Sequence, residues 1–307
     1  MRHATVALLT ILLAVAPAIG RAQVTSESRQ QAVLVTGASS GIGRKITERL
    51  AANGYFVYAG ARKQADLDAL DALDNVQGIR LDVTRQDEID AAVATVTKAG
   101  RGLYGLVNNA GIATLGTLLG MPASELDTVM AVNVKGPFLV TRAFAPLILE
   151  SRGRIVNIGS ISGILSEPEA GAYQMTKHAI ETFSETLSKE LSSSGVQVIL
   201  VEPGSYKSEI FKNQVERAGF GQAEAAQWET LQEPDAVAEA TERALFEPTP
   251  KRRYMVVPGQ AQADITIKAQ LLQLVQLNED QPYTYDRAAL IRMLDEALKQ
   301  ARPHGAH

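Results

Sequence analysis

The 307-residue chain contains no cysteine, which excludes disulfides, thiol catalysis and zinc–thiolate sites. Its four histidines, His3, His178, His304 and His307, are scattered, and no group of residues has metal-ligand spacing. No basic run is longer than Lys251-Arg252-Arg253, and the formal net charge is −4, so the summed field does not favour nucleic acid. What the chain has instead is ordinary globular material, 46% hydrophobic and 21% charged, enough to bury a sizeable core.

The N-terminus differs in kind. Arg2 and His3 precede an uncharged run over residues 4–20, and Gly20-Arg21-Ala22 follows Pro17. Those are the three parts of a secretory signal peptide, with cleavage after Ala22. The run falls short of the roughly 20 residues of a comfortable membrane span. The second reading is an uncleaved anchor, which would associate the protein with a membrane through residues 4–20. The third is a start near Val24, which would leave it cytoplasmic. A buried helix does not fit, because the run has no polar face.

Residues 23–30 are polar and read as a linker. Strand and helix signals then alternate. Apolar, β-branched runs predict strands at 32–36, 55–61, 79–83, 103–108, 154–158, 196–201 and 253–257. Between them, apolar residues at helical spacing predict helices, among them 87–99, 122–150, 170–193 and 234–246. Such alternation predicts a doubly wound, Rossmann-type parallel sheet of seven strands with helices on both faces, formed by residues 31–261. A ligand then belongs at the carboxyl ends of the strands. Residues 205–233 break the rhythm and read as a lid. Residues 262–307 read as a helical extension that could pack on the domain, form a subunit contact or line the pocket mouth. A homodimer or homotetramer is expected.

Three patterns carry chemistry. The turn Thr36-Gly37-Ala38-Ser39-Ser40-Gly41-Ile42-Gly43 joins the first strand to the first helix. Its glycines allow a tight turn and close approach to a ligand, and the helix behind it offers N–H groups and a positive dipole end to a pyrophosphate. An ordinary strand–helix turn is the competing explanation. At the end of the second strand Ala61 stands where an acid would accept from the ribose of NAD. Arg62 and Lys63 follow and suit the 2′-phosphate of NADP, unless they are a solvated basic pair. Finally, Tyr173 and Lys177 share one helix face. A nearby ammonium lowers the pKa of a phenol, so the two make a general acid/base unit. Ser160 follows the fifth strand, where a hydroxyl can hold a substrate oxygen. The Asn133 amide either orders a water near Lys177 or caps a local bend.

Together these residues resemble the short-chain dehydrogenases/reductases in their compact single-domain form. The resemblance covers about residues 31–260. The segment 36–43 resembles the family's cofactor turn, contributing Gly37, Ser39, Ser40, Gly41, Ile42 and Gly43. Leu81-Asp82-Val83 resembles its adenine contact, Asn108-Asn109-Ala110-Gly111 its fourth-strand motif, and Pro203-Gly204 its turn beside the nicotinamide. Asn133, Ser160, Tyr173 and Lys177 fall on its catalytic tetrad. The resemblance implies hydride transfer between a nicotinamide and a secondary alcohol or ketone, steroid-, retinoid-like or similarly small and apolar. Tyr173 would exchange the proton, Lys177 would lower the Tyr173 pKa and bind the ribose, Ser160 would orient the substrate, and Asn133 would hold a water linking Lys177 to solvent. NADP is expected in preference to NAD, although Ser40 stands where NADP-preferring members often carry a basic residue. A 3-oxoacyl thioester reductase is the alternative; it would usually show basic residues near the lid, and Lys207 and Lys212 are thin evidence for that. A non-catalytic dinucleotide-binding regulator is the alternative of another class, and the intact tetrad argues against it.

The leader generates the first prediction. A chain starting at Gln23 is expected to fold cooperatively and to match the full-length protein in turnover per folded molecule. Aggregation of that shorter chain, or a melting point well below that of the full chain in detergent, would make the leader part of the structure.

Overall fold

The structure, a computed structural model, describes residues 30–210 and 230–301. The expected leader (1–22), the linker up to residue 29, lid residues 211–229 with Lys212, and residues 302–307 lie outside the described residues.

Seven parallel strands form one sheet in the order β3-β2-β1-β4-β5-β6-β7. They are β1 (Ala32–Val35), β2 (Phe56–Ala61), β3 (Val76–Arg80), β4 (Gly105–Asn108), β5 (Arg154–Ile158), β6 (Gln197–Pro203) and β7 (Arg253–Val256). The helices are α1 (Gly41–Ala52), α2 (Gln64–Asp71), α3 (Gln86–Ala99), α4 (Ala123–Met130), α5 (Gly136–Ser151), α6 (Gly171–Glu190), α7 (Asp235–Phe246), α8 (Gln260–Asn278) and α9 (Arg287–Ala301). All seven expected strands are present. Because strand side chains alternate between faces, Val33 and Val35 feed one core with Ile46, Leu50, Val237 and Leu245. Ala32 and Leu34 feed the other with Val96, Val140, Phe144 and Ile148. Both faces are covered, as the apolar runs require.

Several boundaries differ from the sequence reading. β3 ends at Arg80, so Leu81, Asp82 and Val83 lie beyond the strand rather than in it. Helix α2 was not anticipated; it buries only Leu67 and Leu70. The long helix expected over 122–150 is interrupted by a π turn, Ala131–Lys135, between α4 and α5. Helix α8 begins at Gln260. Its root is fixed by buried Thr266 and by Gln262 Oε1, which accepts from the Ser205 N–H at 2.9 Å. Beyond that root Leu271, Leu272, Leu274 and Leu277 are exposed, as are Ile291, Leu294 and Leu298 of α9. Among the described residues no helix is long and apolar enough to cross a membrane.

One buried charge ties sheet to helix. Arg154, at the start of β5, donates through Nη1 to the Ala244 carbonyl (3.0 Å) and through Nη2 to the Glu247 carbonyl (2.7 Å). These lie at the carboxyl end of α7, where helix carbonyls have no partner within the helix. Hydrogen bonds from charged groups contribute about 1.5–3 kcal/mol. Arg154→Met keeps the apolar stem and removes the donors, so it is expected to lower stability by about that amount in urea unfolding. An unchanged midpoint would show that the cap is not stabilising.

Candidate active site

The loops after β1 and β4 are stitched together. Thr36 Oγ1 donates to the Val107 carbonyl (3.3 Å) and accepts from the N–H groups of Asn109 and Ala110 (both 3.0 Å). Asn109 Nδ2 returns two bonds, to the carbonyls of Thr36 (2.9 Å) and Gly37 (3.1 Å). The approach is close enough to need glycine. A Cβ on Gly37, whose φ is +65°, would press on Ala110 Cα, and one on Gly43 would overlap the Gly37 carbonyl and Asn109 Nδ2. Ser40 precedes α1 without capping it by its side chain, and Gly41, Ile42 and Gly43 line a cleft at the carboxyl edge of the sheet. Uncapped N–H groups, the positive helix end and a backbone free of Cβ atoms fit a pyrophosphate.

At one end of the cleft stand Arg62 and Asp82. Asp82 Oδ1 accepts from the N–H (2.9 Å) and hydroxyl (2.7 Å) of Thr84. Burial raises the Asp82 pKa, but the Thr84 bonds with Arg62 and Arg85 outweigh it and hold the carboxyl below its ordinary value. Arg62 reaches Asp82 at only 4.0 Å and its side chain is 67% exposed, so this guanidinium is loosely held.

At the other end the backbone leaves β5 through Gly159 into a short 3₁₀ turn, Ile161–Gly163, whose first N–H groups are met by Ser160. Ser160 Oγ accepts from the Ser162 N–H (3.1 Å) and donates to the Pro203 carbonyl at a long 3.4 Å. The first turns of α6 bring Tyr173 and Lys177 to the same place. Lys177 Nζ donates to the Ile158 carbonyl (2.9 Å) and lies 5.6 Å from the centre of the Tyr173 ring. Burial pushes the Tyr173 phenol up to about 12, with the neighbouring Ser160 hydroxyl opposing the rise. Burial pushes the Lys177 ammonium down to about 8, with Glu181 opposing it.

Gly37, Ser39, Ser40, Gly41, Ile42, Gly43, Arg62, Asp82, Val83, Asn109, Ser160, Tyr173, Lys177, Pro203 and Gly204 all line the one cleft. Asn133 does not. It is buried in the π turn, and its amide clamps neighbours: Nδ2 donates to the Ile112 carbonyl (2.8 Å) and Thr176 Oγ1 (3.0 Å), while Oδ1 accepts from the Ile112 N–H (2.9 Å). Both amide hydrogens are occupied by this clamp, which ties the π turn to the loop after β4 and to α6. Thr176 in turn donates to the Tyr173 carbonyl (2.6 Å), so Asn133 supports the backbone that carries the phenol. The sequence reading missed Thr36, Thr176 and Glu181. Thr36 stood inside the glycine-rich segment without a role, and Thr176 stood between Tyr173 and Lys177; only spatial neighbours reveal their function.

Comparison with known proteins agrees with this geometry. A family model described as short chain dehydrogenase matches residues 31–219. The mitochondrial D-beta-hydroxybutyrate dehydrogenase of Rattus norvegicus is 37% identical over 186 residues, which is 57% of this chain and 54% of that protein. The chain therefore spans about half the length of that curated relative. An uncharacterized oxidoreductase of Escherichia coli (strain K12), YbbO, is 33% identical over 242 residues, 76% of this chain and 87% of the relative. Among solved structures, a short-chain dehydrogenase from Streptomyces avermitilis superposes with a TM-score of 0.68 at 32% identity, covering 83% of this chain and 99% of that one. With a glycine-rich turn and a serine, tyrosine and lysine on one cleft, and a family match that runs through all of them, this chain belongs to the short-chain dehydrogenase family.

Proposed function

We propose that the protein is an NADP-dependent oxidoreductase of secondary alcohols and ketones, with a small apolar substrate. The observation that carries this reading is the convergence of Ser160, Tyr173 and Lys177 at one end of a cleft whose middle is the uncapped start of α1. A dinucleotide would lie along it, its pyrophosphate at Gly41–Gly43 and its 2′-phosphate near Arg62. When bound, the nicotinamide supplies or accepts the hydride, and the protein supplies position and protons.

Ser160 holds the substrate oxygen, exchanging its long bond to Pro203 for a better one. Tyr173 Oη gives its proton to that oxygen in reduction and takes it back in oxidation. Burial alone keeps the phenol protonated far above neutrality, so a cation must stabilise its anion; Lys177, 5.6 Å from the ring centre, is the cation assigned to that role. The thioester alternative gains nothing from Lys207, which lies 3.5 Å from Glu233.

Two variants test this reading. Tyr173→Phe removes the exchangeable proton and little else. It is expected to keep the fold and bind NADP as before, with turnover lowered by about a hundredfold or more. Near-normal turnover would overturn the assignment. Arg62→Ala is expected to weaken NADP on the order of tenfold to a hundredfold and leave NAD almost unchanged, as loss of one charge-assisted bond requires. Fluorescence titration with both dinucleotides measures this, and wild-type protein that binds NAD at least as tightly as NADP would reverse the preference.

A further inference from the structure

Next to Lys177, outside the cleft lining, lies a charge cluster that the chemistry above does not use. Glu181 is one turn further along α6. Glu202 comes from β6 and Arg253 from β7. Arg253 Nη1 donates to both Glu181 Oε2 (2.5 Å) and Glu202 Oε1 (2.7 Å), and Nη2 donates to Glu185 Oε1 (3.1 Å). The Glu202 side chain is 1% exposed and that of Glu181 13%. The other oxygen of each acid, Glu181 Oε1 and Glu202 Oε2, is buried without a hydrogen-bond partner. Glu181 Oε1 lies against Gly163 and Gly159, in the turn that carries Ser160, where a Cβ on Gly163 would crowd it.

Two buried acids therefore share one guanidinium nitrogen, and Glu185 adds a further negative charge at the exposed rim. A bare carboxylate oxygen in a buried place is costly. Two things relieve that cost here: a proton on the pair, and the attraction of the nearby Lys177. The charged groups facing Glu181 are Lys177 and Glu185 of its own helix, Glu202 of β6 and Arg253 of β7.

We propose that Glu181 is a positioning residue that, when ionised, keeps Lys177 in its ammonium form, and that Glu202 opposes this by favouring a proton on the Glu181–Glu202 pair. The inference rests on the reading of Lys177 as the partner of Tyr173. Burial pushes Glu181 up to about 7, with Glu202 adding to the effect and Arg253 opposing it, and burial pushes Glu202 up as well. The signs combine usefully. Below the Glu181 value the acid is neutral, but Lys177 is charged there without help. Above it the acid is ionised and attracts the ammonium where burial would otherwise strip it. Without Glu181, Lys177 loses its proton at lower pH, and Tyr173 loses its partner with it.

The test reads Lys177 directly and needs no substrate. Lysine labelled with ¹³C at Cε is incorporated, and the Lys177 signal is identified by its loss in Lys177→Arg. Glu181→Gln is expected to weaken the proton affinity of Lys177 by about tenfold. Glu202→Gln is expected not to weaken it, because Glu181 then stays ionised over a wider range. Infrared spectra of the wild-type protein should show a protonated carboxyl band near neutrality that Glu202→Gln removes. A Glu181→Gln protein with unchanged Lys177 titration would overturn the proposal, as would an equal loss in Glu202→Gln. If Glu181→Gln does not fold, the infrared arm decides: absence of the band in wild type, or its persistence in Glu202→Gln, overturns the proposal. Failure of the catalytic reading is recognised separately, by normal turnover in Tyr173→Phe.

Discussion

From β1 the chain winds outward through β2 to β3, then returns across β1 to build β4 through β7. Loops leaving β1 and β4 therefore part in opposite directions, and the crevice between them is fixed by topology before any side chain is chosen. A crevice binds only if its lips stay at one separation. Thr36 and Asn109 impose that separation through five hydrogen bonds between the two loops, all to backbone groups. The glycines at 37 and 43 are the steric counterpart of the same contact, since any Cβ there would force the lips apart.

The catalytic end is held by a second polar system, inside the sheet layer. Asn108 Nδ2 donates to Thr141 Oγ1 (2.9 Å) and Asn157 Oδ1 (2.8 Å), and Asn157 Nδ2 donates to Ser184 Oγ (2.9 Å). This buried ladder joins β4, β5, α5 and α6, and so sets the register of α6 against the strand that leads to Ser160. Such a buried network specifies geometry because any slip strands its donors in a low-dielectric interior; Asn108 Oδ1 is its one acceptor left buried without a hydrogen-bond partner. The same low dielectric pushes Tyr173 up and Lys177 down. Position and proton affinity at this end have one cause.

Strands were legible in the sequence because a sheet covered on both faces needs continuous apolar runs, and Ala32–Val35 and residues 198–201 supply them. The glycine turn was legible because its spacing has a steric meaning. Helix α2 was not, since its two buried leucines give no periodicity to read. The π turn at Ala131–Lys135 was hidden for another reason: one extra residue in a turn leaves the apolar pattern of the flanking helices almost undisturbed. Thr36, Thr176 and Glu181 act on partners that only folding brings near, or on a residue already assigned a different role. For α8 and α9 the helices were readable from their leucines, yet those side chains are exposed among the described residues, so the pattern alone did not say where they pack.

The cleft draws on residues from Gly37 to Ile210, contributed by loops following β1, β2, β3, β4, β5 and β6. No part of the unfolded chain can offer that surface. A dinucleotide that fits it therefore binds the native state alone, and its binding free energy is added to that of folding. At a hundred times its dissociation constant such a ligand stabilises the folded state by about 2.7 kcal/mol. Supply of the nucleotide would thus bear on the folded fraction as well as on rate, and with less of it a larger fraction of this chain would be unfolded.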